Sequence, residues 1–68
     1  MVTTWWFEVT DEDSENCGEE FFVEVDTTLD KAKREAMMIA GINFPATELT
    51  CWGRVSEVEA EIMGLDTY

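Results

Sequence analysis

The stretch TTWWFEVT, residues 3–10, determines the fold because its side chains alternate and are rich in aromatic and β-branched types. This pattern is typical of a β-strand. A polar run at residues 11–18 has the composition of a loop, and a second alternating stretch, EEFFVEVD, follows at 19–26. The two stretches are predicted to form an antiparallel hairpin with an acidic tip. The face predicted to build the core comprises Trp5, Phe7, Val9, Phe21, Val23 and Val25.

A helix is predicted to begin at Thr27, whose side chain can accept hydrogen bonds from the first turn, and to end at Gly41. Residues at helical spacing are expected to form its inner stripe. They are Leu29, Ala32, Ala36 and Ile39, with Met37 and Met38 completing the contact with the sheet. On the outer face, i,i+4 ion pairs are expected. They would join Asp30 to Arg34 and Lys31 to Glu35.

A third alternating strand is predicted at 48–55, with Leu49, Cys51, Gly53 and Val55 toward the helix and Thr50, Trp52 and Arg54 away from it. Ser56 and Glu59 have the spacing of a capping box, which predicts a short second helix that Gly64 ends. With a right-handed crossover, the order β-β-α-β-α predicts a single α+β domain over residues 1–68. Its three-stranded antiparallel sheet has the order 2-1-3 and carries a helix on one face.

Charge excludes several classes of partner. Sixteen acidic residues against four basic ones give a formal net charge of -12. Such a charge repels nucleic acid and anionic membranes and attracts basic protein surfaces. Residues 1–8 have neither a basic region nor a long apolar run, so we expect no signal peptide, and no stretch reaches the roughly 20 apolar residues that a membrane span needs. A cytoplasmic location is therefore expected, with Cys17 and Cys51 as reduced thiols.

The sequence contains none of the common catalytic motifs. There is no histidine, the usual general base and commonest metal ligand. No nucleophile elbow, phosphate-binding loop or dinucleotide fingerprint occurs. Asp11, Asp13 and Glu15 resemble the start of a calcium loop, but Phe22 occupies the position of its closing Glu. We therefore expect no enzymatic activity, no catalytic residue, no cofactor and no specific metal site.

The outer sheet face is predicted to gather Trp6, Phe22 and Trp52, although one face of such a sheet is usually polar. In one interpretation, the C-terminal helix covers them through Val58, Ile62, Met63 and Leu65. In another, they form an exposed aromatic patch with an acidic rim that selects a basic partner. A homodimer through this face is a third interpretation.

In size, charge and element order the chain resembles the small phage-encoded proteins that block host defences, including anti-CRISPR proteins and DNA-mimic inhibitors. The resemblance implies that carboxylates imitate a phosphate backbone and occupy a basic, nucleic-acid-binding surface of a host protein, such as a CRISPR effector complex. The predicted partner-binding residues are Glu8, Asp11, Glu12, Asp13, Glu15, Glu19, Glu20, Glu24, Trp6, Phe22 and Trp52. The alternatives are an assembly module that self-associates or docks through the aromatic face, and halophilic adaptation.

Overall fold

The computed structural model describes residues 1–68, and its elements follow the predicted order. The three strands are β1 (Val2–Val9), β2 (Glu20–Asp26) and β3 (Leu49–Val55). The helices are α1 (Leu29–Asn43) and α2 (Glu57–Met63), with a 3-10 turn at Ala46–Glu48 before β3. Both pairings of β1 are antiparallel and the sheet order is β2-β1-β3. The predicted α+β architecture is confirmed. None of the helices has the length and apolar character required to cross a bilayer.

The main core lies between the sheet and α1. In the β1–β2 register, Trp5 lies opposite Val23 and Phe7 opposite Phe21, and residues opposite one another share a face. The Phe7 and Phe21 rings stack with their centroids 5.6 Å apart. The fully buried side chains of the helix are all small, which allows it to lie close to the sheet. They are Ala32, Ala36 and Ala40.

Both ends of α1 differ from the prediction. Thr28, not Thr27, is the N-terminal cap, and no side-chain hydrogen bond forms there. The helix continues through Gly41 to Asn43 and ends where the Phe44 N–H donates to the Ala40 carbonyl, at 3.1 Å. Because Gly41 does not adopt a positive φ, it does not provide the predicted stop.

The inner stripe of α1 is also rotated from the predicted one. Ile39 packs on the core as expected, but Leu29 is exposed, and the third buried turn is formed by Ala40. Met38 points away from the sheet and is exposed, whereas Met37 is partly exposed and borders a small apolar cavity against β1 and β3. The expectation of a contact with the sheet was therefore wrong for Met38, because the closely packed alanines set the orientation of the helix.

A β-bulge in β3 changes which residues face which way. Trp6 lies opposite Gly53, but Phe7 lies opposite Cys51, so Trp52 is the inserted residue without a partner. Gly53 has a φ of 123°, a left-handed conformation that favours glycine. Beyond the bulge, β1 residues Trp5 and Thr4 lie opposite Arg54 and Val55 respectively. The faces predicted for Gly53, Arg54 and Val55 were therefore wrong, since one inserted residue reverses the alternation.

The chain after β3 crosses the outer sheet face. Ser56 caps α2 by accepting a hydrogen bond from the Glu59 N–H at 3.1 Å, and Gly64 ends the helix with a φ of 63°, as predicted. The last three residues then pair with the free edge of β2. Phe22 N–H donates to the Asp66 carbonyl and Tyr68 N–H to the Phe22 carbonyl, each at 2.8 Å. This edge pairing was not predicted.

Candidate functional site

The acidic loop, residues 10–19, joins β1 to β2 and is ordered by its own hydrogen bonds. Its ends are closed by Gly18 N–H donating to the Val9 carbonyl at 2.8 Å and Val9 N–H donating to the Glu19 carbonyl at 2.9 Å. Inside the loop, the Asp13 N–H donates to Asp11 Oδ1 at 3.0 Å, an Asx turn. The loop is thus a folded sequence of turns.

A second set of contacts fixes the acidic loop to the turn before β3. The Thr10 N–H donates to the Glu48 carbonyl at 2.9 Å, and the Ser14 hydroxyl donates to Glu48 Oε2 at 2.8 Å. The hydroxyls of Thr10 and Thr50 lie 2.6 Å apart. Because three separate segments are joined here, the carboxylates of the loop project from a supported surface.

Seven acidic side chains and no basic one lie between residues 8 and 20. Four of them are exposed and three are half-buried. The exposed ones are Glu12, Asp13, Glu15 and Glu19; the half-buried ones are Glu8, Asp11 and Glu20. Glu8 and Glu20 lie directly opposite one another on β1 and β2, a like-charge pair that costs stability. We call this set the acidic end.

No basic group neutralises the acidic end. The only ion pair in the protein joins the N-terminal ammonium to Asp26 at 3.0 Å, beyond the opposite end of β1. The predicted pairs of Asp30 with Arg34 and of Lys31 with Glu35 do not form. The four bases also lie away from this end. Three are in the first two turns of α1, which follows the far end of β2, and Arg54 is near the far end of β3.

Trp52 adjoins the acidic end and is the exposed aromatic of the outer face. It is 53% exposed, and its indole Nε1–H donates to Glu8 Oε1 at 3.0 Å. Its ring lies 5.8 Å from that of Trp6, tilted by 40°. Trp6 is half-buried, so Trp52 presents most of the aromatic surface of the outer face. The bulge that displaces Trp52 from the regular ladder places it beside Glu8.

Phe22 does not belong to this surface. It is 1% exposed, because the C-terminal segment pairs along β2 beside it. The side chain of Phe22, predicted as a partner-binding residue, therefore presents no surface to a partner. The cover also differs from the predicted one, since Met63 and Leu65 are half-buried whereas Val58 and Ile62 are exposed. The outer face is therefore not an open aromatic patch.

Glu24 is exposed but lies outside the acidic end. It sits opposite Thr4, four residues along β2 from Glu20, which is about 13 Å in a strand. The structure therefore brings together seven of the eight predicted acids with Trp52 and the half-buried Trp6. Glu24 and Phe22 are left apart.

Two exposed apolar strips were not predicted from the sequence. One lies on α1, where Met38 and Ile42 point away from the core, and the other lies on α2 at Val58 and Ile62. Their four-residue spacing was a detectable signal, but each residue was assigned to the core or left unassigned. The two thiols are free, with Cys17 exposed, and no group of three or more potential ligands converges on a metal position.

Comparisons of the chain with protein-family models, with curated proteins and with solved structures return no match.

Proposed function

We propose that this protein is an inhibitor by occupation, whose acidic end binds a basic, nucleic-acid-binding surface of another protein and excludes the nucleic acid. The observation that carries the proposal is the concentration of seven carboxylates, none paired with a basic group, on one supported end of the domain. Carboxylates without a basic partner in their own protein retain their attraction for Lys and Arg on a second protein.

The fixed conformation of the acidic loop supports a binding role. A disordered acidic tail would lose conformational freedom on binding, at roughly 1–2 kcal/mol per fixed residue. Here the Asx turn at Asp11 and the anchoring of Ser14 to Glu48 have already fixed the backbone. Preorganisation of this kind raises affinity by lowering the cost of ordering.

Trp52 supplies the apolar contact that a charged surface lacks. Partly exposed tryptophans are enriched among the residues that dominate binding energies. The hydrogen bond to Glu8 holds the indole at the margin of the acidic end. A partner surface that combines Lys or Arg with an apolar pocket would engage both features. Nucleic-acid channels with aromatic or aliphatic walls have this chemistry, as the resemblance to phage-encoded inhibitors also implies.

The test compares two variants that each lose four negative charges. The loop variant carries Glu12→Gln, Asp13→Asn, Glu15→Gln and Glu19→Gln. The matched control carries Asp30→Asn, Glu57→Gln, Glu61→Gln and Asp66→Asn. All eight side chains are exposed and none makes a side-chain hydrogen bond that the structure requires; Glu57 and Glu61 lie on α2, outside the acidic end.

Proteins captured by the wild-type chain from a nuclease-treated bacterial lysate are then assayed for binding labelled DNA and RNA. We expect the chain to displace the nucleic acid from a captured protein, and the loop variant to displace it at least about tenfold less well than the control. Displacement that weakens equally in both variants would show that net charge alone acts. Capture without any displacement would also contradict the proposal.

A further inference from the structure

The side of α1 that faces away from the sheet carries an exposed apolar strip. Met38 and Ile42 are 68% and 80% exposed and, four residues apart, lie on one face of the helix. With Met37 they line a shallow groove of about 700 Å³. Nothing lies within 4 Å of the point where a side chain at Gly41 would begin, so the middle of the groove is open.

Positive charge borders this groove. Lys33 and Arg34 line it together with one acid, Asp30, so bases outnumber acids two to one, and neither base forms an ion pair within the protein. In a chain with a net charge of -12, this is the one apolar surface with an excess of bases around it. An apolar strip with a charged margin is typical of an interaction site.

The outer side of α2 has the complementary character. Val58 and Ile62 are 66% and 80% exposed and again lie one turn apart. With 3.6 residues per turn, Glu59 and Glu61 lie on either side of this strip. The two helices therefore present apolar strips of matching spacing, one with a net basic margin and one with an acidic margin.

We propose that the α2 face of one copy of this chain binds the α1 groove of a second copy. Val58 and Ile62 would contact Met38 and Ile42, while the acidic margins of α2 meet Lys33 and Arg34. Burial of the two apolar strips drives the contact, and the charges select its orientation. Because the helices lie on opposite sheet faces, the contact is head-to-tail and extends to a ring or a chain.

Salt gives this association a defined signature. Copies with a net charge of -12 repel one another at low ionic strength. At about 0.15 M salt the Debye length falls to roughly 8 Å, which screens distant charges more than neighbouring ones. We expect association to strengthen as salt rises from about 0.01 M to 0.15 M.

The decisive experiment exchanges one charge between the faces. Sedimentation velocity is measured from about 10 μM to 1 mM for the wild type, Arg34→Glu, Glu61→Lys and an equimolar mixture of the two variants. Reversing one surface charge pair changes affinity by about fivefold. We expect each variant alone to associate about fivefold more weakly than the wild type. The mixture should recover wild-type association, because reversed α1 faces meet reversed α2 faces.

The single variants also separate the specific contact from net charge. Glu61→Lys makes the protein less negative, so association governed by net charge would strengthen rather than weaken. Ile42→Asp should abolish association, whereas Asn16→Asp adds the same charge in the acidic loop and should have little effect. Far-UV circular dichroism checks that each variant is folded.

A dilution series of the wild type, followed by amide NMR shifts, provides a measurement that needs no variant. We expect concentration-dependent shifts confined to α1 and α2. A wild type that is monomeric at about 1 mM, shifts confined to other surfaces, or a mixture that fails to recover association would each overturn the proposal.

Discussion

Replacing Phe22 by Ala tests whether the outer sheet face is covered in solution. Phe22 is 1% exposed, and truncating a buried Phe to Ala costs about 3–5 kcal/mol. A domain of 68 residues has a total stability of about 3–10 kcal/mol, so Phe22→Ala removes a third or more of it. Trp52 is the matched comparison, because it belongs to the same face but is 53% exposed.

Trp52→Ala loses a tilted ring pair with Trp6 and an exposed hydrogen bond to Glu8, which together are worth about 1 kcal/mol. Urea unfolding followed by far-UV circular dichroism measures both variants. With a urea dependence of about 1 kcal/mol per molar, the midpoint should fall by about 3 M for Phe22→Ala and about 1 M for Trp52→Ala. Equal shifts near 1 M would mean that Phe22 is solvated and that the C-terminal segment does not cover it.

Two further predictions concern backbone conformation and like charges. Gly53→Ala should lower the free energy of unfolding by about 1–2 kcal/mol because its φ of 123° is unfavourable for a side chain; Gly41→Ala, in a helix with open space around it, should raise it by about 0.5–1 kcal/mol. Urea unfolding should show that the two substitutions change the free energy of unfolding in opposite directions. No change for Gly53→Ala would contradict the backbone conformation of the bulge. Glu20→Gln should stabilise the protein by about 0.2–1 kcal/mol at low salt by relieving its repulsion from Glu8, with a smaller gain in 0.5 M salt. Glu24→Gln, opposite Thr4, is the control, and an equal gain there would point to net charge instead of the pair.

The strands and their order could be predicted because alternation is a local property that a sheet with one helix-covered face imposes on every strand. The orientation of α1 about its own axis could not be predicted, because it depends on how closely the helix approaches the sheet. Hydrophobicity favoured Met37 and Met38 for the interface, but Ala40 forms its third buried turn, Met37 lies at its margin and Met38 is exposed. The bulge at Trp52 could not be predicted either, because the alternation along β3 is regular in the sequence and only Gly53 indicates an interruption.

The acidic end could be located from sequence because charge needs no packing to be exposed. The contacts that hold the acidic loop in place could not be predicted, because the hydrogen bond from Ser14 to Glu48 joins residues 34 positions apart. The burial of Phe22 depends on pairing with Asp66 and Tyr68, a segment too short to show any periodicity. Exposure of the aromatic residues was therefore decided by tertiary contacts alone.

The bulge in β3 also shapes the open edge of the sheet. The C-terminal segment covers the edge of β2, but β3 ends the strand order with no neighbour on its other side. A long regular edge rich in aromatic residues is a template for fibril growth. The extra residue at Trp52 interrupts the row of free backbone groups and increases the local twist. The irregularity that brings Trp52 beside Glu8 thus also leaves an incoming strand only a short run to pair with, which protects the protein against edge-to-edge aggregation.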